Sequence, residues 1–199
     1  MKLRSWVVPV AAGVCLFAPA SVAAERFPDQ ASPELTAAFI FNFARYTEWP
    51  ESSLGDTGRP FRVLVLGDDR IARAIDHLET GRIHGREVRA HSLPFADGDE
   101  LGRSLREQLD DARVVFVGSS YRGKASTVLN LIDRKDVLTI GCFPGFAREG
   151  GMLNLEVRQD RMRFEANPES IHRSTLRISS EVLDLATIVH GERAEEGRR

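Results

Sequence analysis

Cysteine is almost missing from this chain. Of 199 residues, two are cysteines, Cys15 and Cys142, and the first lies in a segment that reads as a removable leader. An exported protein left with one thiol can form no internal disulfide. Its apolar core must hold the fold, and about 175 residues can bury one large enough. Cys142 is then buried, reactive or bridged to a second chain; burial is preferred, because free cysteine packs as a small hydrophobe. An excess of one charge sign is missing too: 27 Lys and Arg face 29 Asp and Glu. Loss of Lys2 and Arg4 with the leader moves the formal charge from −2 to −4, which gives no support for nucleic acid or an anionic membrane as partner. After residue 18 no apolar run approaches the ~20 residues that a membrane span needs. No Gly-x-Gly-x-x-Gly follows any strand, so a dinucleotide site has no support.

The first residues carry an address. Lys2 and Arg4 precede the apolar run Trp6 to Ala18, and Ser21, Val22, Ala23 and Ala24 supply small residues for a signal peptidase. The run is too short to cross a bilayer, and Pro9 and Pro19 interrupt it. Val14 is unsuited to precede a lipidated Cys15. The reading is a signal peptide over 1–24 cleaved after Ala23 or Ala24, one domain over 25–190, and a charged, disordered tail over 191–199.

Short strands and helices alternate along the domain. Ser32, Pro33 and Glu34 open a helix with cap, proline and early acid in place. Leu35, Ala38, Phe39, Asn42, Phe43, Tyr46 and Trp49 follow at helical steps, which predicts the packing face and sets Phe41 elsewhere. Trp49 and Pro50 stop the helix. Strands are predicted at Phe61 to Leu66, Glu87 to Leu93, Val114 to Val117 and Val137 to Ile140. Helices lie between them, marked by Ile71, Ala72, Ile75 and Leu78, by Leu101, Leu105 and Leu109, and by Val128, Leu129 and Ile132. The second strand is the most polar and so nearest an edge; the third is apolar throughout and buried on both faces.

A glycine-rich block, Gly141 to Met152, then leads into two alternating runs around Arg158 to Arg161, which read as a β-hairpin. Asn167 and Pro168 begin a helix to about Arg177, and a last helix runs from Ser180 to Val189. The expected fold is α/β, a three-layer αβα arrangement with a mostly parallel sheet and an added antiparallel hairpin.

Candidate chemistry is sparse. Gly67, Asp68 and Asp69 end a strand where open sheets bind ligands. Two adjacent acids there could hold Mg²⁺, but a helix N-terminus also favours acids. His77, His84 and His91 fall on a helix, a loop and a strand, with no carboxylate completing a metal pattern. Ser119 and Ser120 lack a Gly-x-Ser-x-Gly elbow. Gly150 and Gly151 could offer backbone N–H groups to an anion, or supply a positive φ before a strand. Arg163 and Glu165 read as a solvated cross-strand pair. No catalytic set, cofactor or metal is expected.

Three blocks together carry a family signature. ELTAAFIFNFARYTEWP from Glu34 to Pro50 resembles the opening helix of the YfiR-like family of exported proteins. Val137 to Ile140 with GFAREGGMLN from Gly145 to Asn154 resembles its central glycine block. RFEAN from Arg163 to Asn167, followed by LRISSEVLDLA from Leu176 to Ala186, resembles its closing segment. The resemblance implies a periplasmic, non-enzymatic α/β protein. Its best-understood relatives repress an inner-membrane diguanylate cyclase through that enzyme's periplasmic sensor region, which lowers cyclic di-GMP and biofilm formation. Such repressors tend to form homodimers, and an outer-membrane lipoprotein can sequester them. Relatives often carry a cysteine just before the third strand, and some have disulfides near the glycine block. Here Arg113 holds the first position, and Ala147 and Asn154 lie in the second region, which speaks against redox control through internal disulfides.

Partner contact is expected at Phe41, Arg45, Tyr46 and Trp49 on and after the first helix, and at Phe146, Arg148 and Glu149 in the glycine block. Asn42, Gly150, Gly151, Asn154, Phe164 and Asn167 match family motifs and read as structural. Two alternatives stay open: a small-molecule-binding protein serving another membrane sensor, with its pocket near Gly67 and Ser119, and a hydrolase using Ser119 or Ser120.

Overall fold

The computed structural model describes residues 31–78, 82–132 and 134–191. The proposed signal peptide and the tail after Gly191 lie outside them. Helix α1, Pro33–Arg45, starts as its sequence demands: the Ser32 hydroxyl accepts from the Leu35 amide at 3.2 Å, with Pro33 in the first turn. A short pair follows, β1 at Thr47–Glu48 and α2 at Glu51–Leu54.

The alternating unit comes next: β2 Phe61–Leu66, α3 Asp69–Asp76, β3 Arg82–Ile83, β4 Arg86–Leu93, α4 Gly98–Leu109, β5 Ala112–Val117, α5 Ala125–Leu131 and β6 Leu138–Gly141. The hairpin is β7 Leu153–Arg158 and β8 Arg161–Ala166. It closes through Gln159 and Asp160 at φ of 51° and 57°, the left-handed pair that a two-residue hairpin turn requires. Helix α6, Pro168–Arg173, β9 Arg177–Ile178, α7 Ser180–Leu183 and β10 Thr187–Ile188 end the described chain.

Among the described residues the main sheet runs β10-β8-β7-β6-β5-β2-β4-β3, and β1 pairs with β9 in a small antiparallel sheet. Strands β4, β2, β5, β6 and β7 are parallel, β8 is antiparallel to β7, and β10 is parallel to β8. The two faces follow from the period-2 alternation of side chains. Val63, Val65, Val114, Phe116, Leu138 and Ile140 turn to one face and pack with residues of α1 and α3. Leu64, Leu66, Val115 and Val117 turn to the other and pack with residues of α4 and α5. Helices therefore cover both faces of a mostly parallel sheet, an α/β fold.

Three expectations need correction. The buried residues of α1 are Thr36, Ala37, Ile40, Phe41, Phe43 and Ala44, so Phe41 faces the core while Leu35 and Tyr46 are exposed. The helix is apolar around most of its circumference, and periodicity alone cannot choose among its faces. The closing helices are shorter than expected: Ser174 ends α6, and residues 177–178 and 187–188 are strands. Ser179 at the N-cap does start α7, but the segment needs its later backbone groups for pairing with β8. Glu165 is not a solvated partner of Arg163. It is 6% exposed and accepts from the Asn154 side chain at 3.1 Å.

Candidate functional site

The sheet order places β2 between β4 and β5, so chain direction across the sheet reverses between β2 and β5. The carboxyl ends of strands at such a switch point form a crevice because the loops leave toward opposite faces. Here the two ends nearly touch. The Gly118 amide donates to the Leu66 carbonyl at 2.9 Å, and a Cβ on Gly118 would lie 2.7 Å from that oxygen. Gly67 turns at φ +81°, where a Cβ would meet Ser120 Oγ at 2.1 Å.

A cleft of about 260 Å³ opens above these ends. Asp68 and Arg70, after β2, line one part of it, with Ser119 after β5 and Cys142 after β6. The start of α1, from Ala31 to Thr36, forms one wall. Hairpin residues Leu155, Glu156, Val157 and Met162 form the other. Asp68 caps α3 by accepting from the Arg70 amide at 3.1 Å, and Arg70 grips it side-on, Nε to Oδ1 at 3.0 Å and Nη2 to Oδ2 at 2.8 Å. That bidentate bond holds the Asp68 carboxyl below the usual aspartate range. Asp69 turns away to Arg73 at 3.0 Å. The adjacent acids thus serve a helix start and two arginines.

Cys142 is partly buried, its Sγ 3.8 Å from the Val117 carbonyl. Burial pushes its thiol up to about 11, so it stays neutral and a poor nucleophile at pH 7. Glu156 meets Arg158 Nε at 2.8 Å. The cleft therefore presents both charge signs above an apolar lining of Ile71, Leu155, Val157 and Met162. This is the chemistry of a binding crevice for a small polar molecule.

The histidines do not converge. His77 Nδ1 lies 2.6 Å from the Arg73 carbonyl, and His84 Nε2 lies 2.8 Å from the Thr47 carbonyl. Among the described residues no group of three or more His, Cys, Asp or Glu could hold a metal ion. Ser119 opens a short 3-10 turn ending at Tyr121 and lines the cleft, while Ser120 is exposed.

The seven expected contact residues divide into two groups that the fold separates. Phe41 packs in the core beneath α1. Trp49 is buried, donates Nε1–H to the Asp136 carbonyl at 2.9 Å, and stacks edge-on to Phe61 at 5.2 Å. Arg45 and Tyr46 are exposed, the guanidinium 6.0 Å from the ring centroid. On the opposite face of the sheet, Phe146 is fully buried against Phe143. Arg148 is exposed, and Glu149 accepts from Ser126 of α5 at 3.1 Å. Three of the seven thus have no surface to offer, and the remaining four do not share one.

The glycine block carries the chain from the end of β6 to the start of β7 and is pinned from beneath. Asn154 Oδ1 accepts from the Phe143 amide at 3.2 Å while its amide group reaches Glu165. Asn167 donates to the Ala147 carbonyl at 2.6 Å and caps α6 by accepting from Ser170 at 3.0 Å. Gly150 has φ +113°, as expected for a glycine before a strand. Gly151 does not; it is needed because a Cβ there would lie 2.2 Å from the Phe146 ring. Sequence reading gave no role to the Asn154–Glu165 contact. The available signal was an asparagine set between Leu153 and Leu155 in an apolar strand.

No curated protein matches the chain. Among solved structures, the fold is similar to the crystal structure of a conserved domain protein from Vibrio cholerae O1 biovar El Tor, with TM-score 0.55 and 9% identity. The match covers 80% of this chain and 60% of that one, so this chain spans less than two thirds of its neighbour's length. A family model described as YfiR/HmsC-like matches residues 33–187. That range begins at the first residue of α1, ends in β10, and includes the glycine block, its buried asparagines and the hairpin. The chain belongs to the YfiR/HmsC-like family.

Proposed function

We propose that this protein is an exported, non-catalytic regulator that represses an inner-membrane diguanylate cyclase by binding its periplasmic sensor region. Family membership over residues 33–187 carries the reading. The signal-peptide pattern of residues 1–24 supports the periplasmic location. Among the described residues no helix is long and apolar enough to cross a membrane. The action is one of linkage: a partner that binds the inactive cyclase conformation more tightly shifts its population. The exposed side of α1, with Leu35, Arg45 and Tyr46, is the proposed contact, and a homodimer is the proposed working form. Measurement of intracellular cyclic di-GMP after deletion and restoration of the gene tests this. A rise on deletion, reversed by the intact gene but not by one lacking residues 1–24, supports the reading; an unchanged level refutes it.

The cleft favours a second reading, a binding protein whose small ligand serves a membrane sensor. Its position at the switch point and its mixed lining support this. Thermal-shift screening of periplasmic metabolites tests it, and the absence of stabilisation that Ile71→Trp abolishes counts against it.

A further inference from the structure

The opposite end of the sheet holds an arrangement that the regulatory reading does not use. Where β2, β4 and β5 begin, four arginines line one depression of about 380 Å³: Arg59, Arg62, Arg86 and Arg113. Among the described residues Asp111 is the one carboxylate in its lining, 3.6 Å from both Arg59 and Arg62. Those separations are long for charge-assisted hydrogen bonds, which close to 2.7–2.9 Å when fully made. Arg113 donates to the carbonyls of Ala112 and Asp110. Arg86 donates to those of Gly55 at 2.7 Å and His84 at 3.2 Å.

Arg86 is the residue that a merely solvated rim does not explain. It is 7% exposed. Its Nε is buried with no hydrogen-bond partner, and no carboxylate pairs with its charge, among the described residues. Withdrawing a guanidinium from water without a counter-charge is costly, and an unmet buried N–H adds to that cost. Burial and the neighbouring Arg134 charge also pull Arg113 below the ordinary guanidinium range. Four guanidiniums are gathered here against one lining carboxylate, Asp111.

We propose that this depression binds a small molecule carrying a phosphate monoester, held by Arg59, Arg62, Arg86 and Arg113. A dianion with three terminal oxygens answers the excess of guanidinium over carboxylate and accepts from several forks at once. The volume lies within the range of small-molecule sites and exceeds what bare phosphate fills. Leu54, Pro60 and Phe61 supply an apolar lining for an organic substituent.

Titration of the purified mature protein with phenyl phosphate, inorganic phosphate and, at matched ionic strength, chloride tests the proposal. Phenyl phosphate is expected to raise the melting temperature saturably, by about 3–6 °C at ten times its dissociation constant. Inorganic phosphate should bind more weakly and chloride should give no saturable shift. Arg113→Gln should weaken phenyl phosphate at least tenfold, while Asp68→Asn, at the other end of the sheet, should leave it within twofold. The Arg86 Nε–H resonance of the unmutated protein should move on titration, a readout independent of whether any variant folds. A phenyl phosphate response no larger than that of chloride, equal binding by Arg113→Gln, or an unmoved Arg86 resonance would overturn the site. No cyclase enters this assay, so its failure and that of the regulatory reading are separate results.

Discussion

Replacing Gly151 with alanine adds one methyl group at the most crowded point of the glycine block. The new Cβ would lie 2.2, 2.4 and 2.8 Å from Cε1, Cδ1 and Cζ of Phe146. Ordinary carbon contacts begin near 3.5 Å, so either the ring or the backbone must shift by more than an ångström. The ring has nowhere near to go. It is fully buried, edge-on to Phe143 at 5.4 Å, and Gly141 hems it in, where a Cβ would come within 2.3 Å. The backbone is held too, since Gly151 donates to the Phe146 carbonyl at 3.0 Å and Asn167 ties down the Ala147 carbonyl. Overpacking of this kind costs ~1–3 kcal/mol, and complete expulsion of a phenylalanine ~3–5 kcal/mol. About 2–4 kcal/mol is therefore expected, a fall of roughly 5–15 °C in melting temperature for a domain of this size. Urea unfolding measures it. Phe146→Leu should cost stability by itself yet lessen the penalty of Gly151→Ala, so the double variant should be more stable than the sum of the singles predicts. A Gly151→Ala protein within about 0.5 kcal/mol of the parent would refute the packing account.

Trp49→Phe keeps most of the buried ring but removes the donor to the Asp136 carbonyl; a loss of ~1–2 kcal/mol is expected by urea unfolding, and no loss would refute the structural role of that hydrogen bond. The Asp68 carboxyl is held below its usual range by Arg70. Its stabilisation is present above the unfolded carboxylate range and fades as pH falls through the folded value. Asp68→Asn should accordingly flatten the acid limb of a stability–pH profile while sparing the limb above pH 8, and an unaltered acid limb would contradict the pairing. Cys142, with its thiol raised to about 11, should react slowly with iodoacetamide at pH 7 and faster as pH climbs toward 10; labelling at the rate of a free peptide thiol would refute its burial. Arg45→Glu with Tyr46→Ala should abolish repression of cyclic di-GMP synthesis with little change in melting temperature, and retained repression would move the contact elsewhere.

The order of strands and helices was legible because short apolar runs and helical spacing are local signals. Val114 to Val117 is apolar at every position, and the strand is buried on both faces. Ser32 with Pro33, and Asn167 with Pro168, marked helix starts that the structure uses. The packing face of α1 was not legible, because a helix apolar at 35, 37–41, 43 and 44 offers several equivalent stripes. The docking of Phe41, Phe43 and Ala44 into the core selects one. The ends of the last two helices are hidden from local pattern for a related reason: residues 177–178 and 187–188 take their conformation from pairing with β1 and β8, which are remote in sequence.

The candidate sites divide in the same way. The sequence placed a possible pocket near Gly67 and Ser119, because strand ends and their loops can be located from pattern. It could not bring Cys142, Met162 and the start of α1 to that pocket. Nor could it show that Phe146 fills the space between Gly141 and Gly151, or that Arg86 loses its water at the far end. By itself the sequence determined the α/β class, the helix starts at Ser32–Pro33 and Asn167–Pro168, and the family blocks, all of which are written in neighbouring residues. Only the tertiary structure decided which aromatics are buried, which glycines are obligatory by contact and which charges are unpaired. Those properties depend on side chains that meet across the sheet, and chain separation carries no record of such meetings.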